Sequence, residues 1–132
     1  MISVLIKAAE RYSLDRKKIV RLVENYLRKK GRKEGEVSLV FVEPEEIRRL
    51  NRQYRQLDKP TTVLAFRQGQ VYPGASWQRL ILGDLVICPK EAQKSNLSIE
   101  FLIKHGLKNL LLEIPTTKNQ RTGFGRDERR VG

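Results

Sequence analysis

The chain has 132 residues, the size of one domain, and no Pro/Gly/Ser-rich linker divides it. Its apolar residues, 39% of the total, fall in runs too short to span a bilayer, and the single cysteine, Cys88, excludes an intramolecular disulfide or a cysteine-based zinc site. A net charge of +12 generates a field that attracts polyanions, nucleic acid first among them, although charge alone sets neither fold nor specificity.

The first seven residues, Met1 to Lys7, alternate loosely and predict a strand, without the basic leader and cleavage pattern of a secreted protein, so a cytoplasmic location is expected. Ser13 is a candidate N-cap for a helix whose Leu14, Val20, Val23 and Leu27 recur at helical spacing until Gly31 offers a stop; its other face is basic. Val37 to Val42 is β-branched and apolar over strand length, and Pro44 cannot continue a central strand. Pro44 suits the first turn of a second helix, with Glu45 and Glu46 complementing the dipole and Ile47, Leu50 and Tyr54 on one stripe as far as about Gln56.

Thr61 to Phe66 and Arg79 to Ile87 read as strands that pair antiparallel across a loop from Gln68 to Ser76. Beyond Pro89 a short helical segment over Glu91 to Lys94 precedes a longer helix starting near Ser95 or Ser98 and carrying His105. The order β-α-β-α-β-β-α-α points to a single α+β domain with a mixed β-sheet packed by helices, over residues 1–113. Residues 114–132, polar, basic and aperiodic, are expected to form a disordered tail.

Three clusters hold residues that could do chemistry. On the last helix, Ile99, Leu102, Ile103, Gly106, Leu107 and Leu110 form a broad apolar arc, with the only histidine, His105, and Asn109 at its edge, four residues apart. Two histidines at that spacing would chelate zinc; with an amide in the second place, the residues alone favour a hydrogen-bonded histidine at a core edge. In Tyr54 to Thr62, Arg55 could clamp a phosphate and Lys59 add diffuse positive charge, or the segment is a polar turn in which Asp58 caps locally. In Leu82 to Pro89, Gly83 and Asp84 interrupt an apolar strand; Asp84 must find a donor, whether a ligand, Arg55 or backbone amides.

Taken together, Glu46 to Asn51 with Tyr54 and Arg55, Asp58 to Phe66, and Leu82 to Cys88 resemble, in order and spacing, the YbeY family of endoribonucleases and rRNA maturation factors over roughly residues 36 to 111. That resemblance implies an α+β fold with a zincin-like metal helix of pattern His-Gly-x-x-His-x-x-Gly-x-x-His. It also implies zinc as cofactor and metal-dependent cleavage of single-stranded RNA in 16S rRNA maturation and ribosome quality control, with the small ribosomal subunit as a partner. Arg55 then contacts phosphate as a catalytic and RNA-binding residue, Lys59 binds RNA, and His105 is a metal ligand.

This chain matches the helix pattern at His105 and Gly106, whereas Asn109 and Pro115 occupy the other two histidine positions and Leu112 the second glycine. Ala65 stands where the family usually has serine. A reading-frame slip would produce so abrupt a break, because suitable codons for Leu112 to Thr117 spell Gly-Asn-Ser-His-Asp in a neighbouring frame. The alternative function is an RNA- or ribosome-binding module that lacks the complete zinc site.

Overall fold

The computed structural model describes residues 1–71 and 80–112. The expected tail at residues 114–132 and most of the expected loop at 68–76 lie outside the described residues. Eight elements follow in the expected order: β1 (Ile2–Lys7), α1 (Arg16–Lys29), β2 (Gly35–Phe41), α2 (Pro44–Arg55), β3 (Val63–Val71), β4 (Leu80–Ile87), α3 (Pro89–Lys94) and α4 (Ile99–Leu112). The sheet order is β1-β2-β4-β3, with β1, β2 and β4 parallel and β3 antiparallel to β4. It is the mixed sheet of an α+β domain, and β3 forms one edge.

Local chemistry sets the helix boundaries. Asp15, not Ser13, caps α1: its Oδ1 accepts from the Lys18 amide at 3.1 Å, the geometry of an N-cap side chain satisfying an orphan donor. Leu14, just before the cap, packs instead against the main core. Pro44 opens α2 with Glu45 and Glu46 in its first turn, and Gln56 ends it at φ 58°, a left-handed cap. Ser98 rather than Ser95 begins α4, accepting from the Phe101 amide at 3.0 Å. At β3, the expected strand over Thr61–Phe66 is displaced: Thr61 and Thr62 precede it, and it runs on to Val71 with a register shift between Arg67 and Gln70.

Alternation along the strands divides the sheet into two faces. Val37, Leu39, Phe41, Val63, Ala65, Leu85 and Ile87 meet α1 and α4 through Val23, Leu27, Leu102, Ile103 and Leu107, the main core. On the opposite face Leu64, Val86 and Cys88 pack with Ile47 of α2, a smaller cluster flanked by Val42, Leu50 and Phe66. Because α2 covers only part of that face, a groove of about 520 Å³ remains beside it.

Two glycines let α4 lie close to the sheet. A Cβ on Gly106 would lie 2.7 Å from Cδ2 of the fully buried Leu85. One on Gly83, whose φ is +150°, would meet the Phe66 carbonyl oxygen at 2.4 Å and Leu110 Cδ2 at 2.8 Å. Glycine inside β4 is thus explained by a close approach of backbone and helix.

Candidate active site

Arg55 is the last residue of α2, and the fold uses it at the free edge of the sheet. Its Nη2 donates to the Ala65 carbonyl at 3.0 Å, Nη1 to the Tyr54 carbonyl at 3.4 Å, and its guanidinium lies 5.1 Å from the centroid of the Phe66 ring. Tyr54 meets the same ring edge-on at 5.3 Å. These contacts, to two carbonyls and an aromatic face, fix the direction of the guanidinium. Arg55 thus donates to the backbone of β3, an edge strand among the described residues.

The connection from α2 to β3 is held from behind. Buried Asn51 donates through Nδ2 to the Lys59 carbonyl at 2.9 Å, and Cys88 donates its amide to the Thr62 carbonyl at 3.0 Å. Asp58, expected as a local cap, instead accepts from Arg48 Nε at 2.9 Å with Arg52 at 3.9 Å, and the Arg48 bond holds its carboxyl below the usual range. A carboxylate gains more from two guanidinium groups on the preceding helix than from one turn amide. Lys59 is left with an exposed side chain on a pinned backbone.

Asp84 lies on the groove face of β4, paired in register with Phe66 of β3 and Ser38 of β2. Its Oδ1 accepts from the Ser38 hydroxyl at 2.6 Å, a short charge-assisted bond that offsets the desolvation of the carboxylate. Lys7, Glu46 and Tyr54 complete the polar and aromatic rim of the same groove. Ser38 was not singled out from sequence, although its place on the solvent-side alternation of β2, one strand from Asp84, is the signal that finds it.

His105 is half-buried on α4 and stacks on Phe101, centroids 6.1 Å apart. Asn109, expected at the edge of the apolar arc, is inside it at 4% exposure. At 100° per residue it falls only about 20° from Leu102, and close packing of α4 on the sheet widens the buried stripe to include it. Arg55 and Lys59 thus share one connection, and His105 comes from the helix that packs across β3 and β4.

The donors present do not fit a three-histidine zinc site. The chain has one histidine and one cysteine, and among the described residues no group of three or more His, Cys, Asp or Glu could hold a metal. The buried Asn109 offers only a neutral amide. Cys88 is fully buried, and burial pushes its thiol up. Pro115, at the third position, is outside the described residues.

Fold and site together define a class, the small basic α+β domain in which an arginine-braced edge strand lies beside a histidine-bearing helix. The sequence matches the family model "Endoribonuclease YbeY" over residues 5–112. Relatives named Endoribonuclease YbeY include that of Pelotomaculum thermopropionicum, 39% identical over an alignment of 104 residues and covering 70% of this chain and 68% of the relative. That of Aquifex aeolicus is 34% identical, covering 82% and 74%, and that of Syntrophus aciditrophicus 33% identical, covering 77% and 68%. The solution structure of TM1509 from Thermotoga maritima aligns over 96% of this chain and 88% of that one, at 20% identity and a TM-score of 0.48. This chain belongs to the YbeY family, whose membership implies a metal-dependent nuclease with RNA as substrate.

Proposed function

We propose that this chain is a YbeY-type endoribonuclease that cleaves single-stranded RNA in 16S rRNA maturation and ribosome quality control, working on the small ribosomal subunit in the cytoplasm. The family match over residues 5–112 carries this reading and favours it over a binding module without catalysis. Among the described residues no helix is long and apolar enough to cross a membrane.

Arg55 is assigned to the scissile phosphate. Its two carbonyl bonds and the Phe66 face aim a planar, permanently charged group, and binding RNA then costs little side-chain ordering. Positive charge held at that point stabilises the negative charge that builds on phosphate oxygens during displacement. Lys59, on a backbone held by Asn51, attracts the neighbouring phosphates as a point charge. His105 is the imidazole this chain would contribute toward the zinc that the family resemblance implies, a group that would supply activation of water. Among the described residues, the chain's own donors do not complete that site.

Cleavage of a labelled single-stranded RNA by wild type, Arg55→Lys and Arg55→Ala tests the assignment. Lysine retains charge but not the paired carbonyl bonds, so the expected order is wild type, then lysine, then alanine, with the alanine variant at least tenfold down and cooperatively folded. Equal cleavage by all three would remove Arg55 from the site.

A further inference from the structure

The charge of this protein is concentrated on an element that the proposed site does not use. Residues 15–34 contain nine Lys or Arg against three Asp or Glu, half of the whole chain's +12. Most of these groups lie on α1. With Lys17 set at zero, Arg28 and Arg21 fall at roughly 20° and 40°, and Lys18 and Lys29 at roughly 100° and 120°. All five are exposed. The buried Ile19, Val23 and Leu27 centre on the opposite side, at roughly 240°. Lys17, Arg21 and Arg28 therefore form one row about 16 Å long on the outermost line of the helix.

Pairing separates this row from the other basic helix. On α2, Arg48 and Arg52 meet Asp58, and Arg49 meets Glu46 at 2.6 Å. Among the described residues, Lys17, Lys18, Arg21, Arg28 and Lys29 make no ion pair with a carboxylate. Folding pairs Arg48, Arg49 and Arg52 of α2 with carboxylates and leaves Arg21 and Arg28 of α1 exposed. Positive groups on one face of a rigid element repel one another, a repulsion that Glu24, between Arg21 and Arg28 on the same line, only partly offsets, and a polyanion relieves it while releasing its own counterions.

We propose that the outer face of α1 is a second RNA-docking surface, binding the phosphate backbone without reading sequence. This rests on RNA being the substrate. Topology places the surface away from Arg55: α1 packs against β1 and α4, and β1 and β3 are opposite edges of the sheet, about 14 Å apart at ordinary strand spacing. RNA that engages both must extend well beyond the scissile phosphate, so α1 selects long or structured RNA over short fragments. A membrane surface fits less well, because the apolar stripe that would enter lipid is already committed to the core through Ile19, Val23 and Leu27.

The test compares wild type with Lys17→Gln/Arg21→Gln/Arg28→Gln, using single-stranded RNAs of about 20 and about 4 nucleotides across a salt series. Three lost phosphate contacts should flatten the plot of log affinity against log salt by about 2 and weaken the longer RNA on the order of a hundredfold near 0.1 M salt. Binding and cleavage of the short RNA should stay within about twofold. The positions are exposed, and an unchanged Tm confirms folding. If wild type cuts RNA but the triple variant keeps its salt slope, the α1 surface falls while the nuclease reading stands. If neither protein binds or cuts RNA, both fall. Loss of binding to phosphatidylserine vesicles without change toward RNA would assign the face to membrane instead.

Discussion

Replacing Gly106 with alanine sets two effects of opposite sign against each other. In an α-helix interior, alanine is favoured over glycine by about 0.8–1.0 kcal/mol, so propensity alone predicts a more stable protein. The new Cβ, however, would lie 2.7, 3.0 and 3.3 Å from Cδ2, Cδ1 and Cγ of Leu85, a fully buried residue of the strand paired on both sides. Forcing a methyl group into a packed core costs about 1–3 kcal/mol. Overpacking wins, and Gly106→Ala should lose about 1 kcal/mol net, lowering the urea midpoint by about half a molar with an unchanged m-value.

The cause is isolated by a double-mutant cycle. Leu85→Ala alone should cost about 3 kcal/mol, and it removes all three atoms in the way. In that background Gly106→Ala should become stabilising by about 1 kcal/mol, a coupling of about 2 kcal/mol. A stabilising Gly106→Ala in the wild-type background, or an equal cost in both backgrounds, would refute the close approach of α4 to the sheet. Because His105 adjoins Gly106, a lifted helix should also move its imidazole resonances.

Glu43 accepts bonds from Lys90 and Tyr12 and is paired with Arg11; the Lys90 bond first, then that of Tyr12, hold its carboxyl down at about 2 from 4.5. A depressed folded pKa contributes stability above about 4.5 that is lost as pH falls toward about 2, so acid melts of Glu43→Gln should fall less steeply than wild type in that window. The same contact raises Tyr12 to about 12, after the larger effect of burial, and its phenol should stay protonated through pH 10 in an absorbance titration. Asn51→Ala leaves the Lys59 carbonyl without its side-chain donor and should cost about 1–2 kcal/mol by chemical denaturation. At the nucleic-acid level, the match to the family ends at residue 112, and codons 112–117 should spell Gly-Asn-Ser-His-Asp in a neighbouring frame; codons that cannot do so would remove the frame-slip explanation.

The strand and helix order was legible because hydrophobic period and proline placement are local signals. Pro44 opening α2 and the β-branched run of β2 both express such preferences directly. What lay beyond local pattern was long-range. Asp15 competes with Ser13 for the cap through the path by which Leu14 reaches the core. Likewise, β3 starts late because Asn51, from the preceding helix, anchors the turn before it. Asn109 is buried by the depth of α4 packing, which no spacing on one helix reveals.

For the site, the sequence singled out Arg55, Lys59, Asp84 and His105, and it left the partner of Asp84 open among several donors. Ser38 is that partner, 46 residues earlier in the chain and adjacent only once β2 and β4 pair. Glu43, Tyr12 and Lys90 escaped notice for the same reason: their network joins the β1–α1 and β2–α2 connections to the first turn of α3.

The most direct test of the nuclease reading is cleavage of single-stranded RNA by the purified chain, with metal content measured on the same sample and a chelator arm. The account predicts endonucleolytic products from wild type and fewer products from Arg55→Ala at equal folding, with the chelator arm reporting whether cleavage needs a metal. A folded, metal-free protein that binds RNA in low salt and never cuts it would contradict the account.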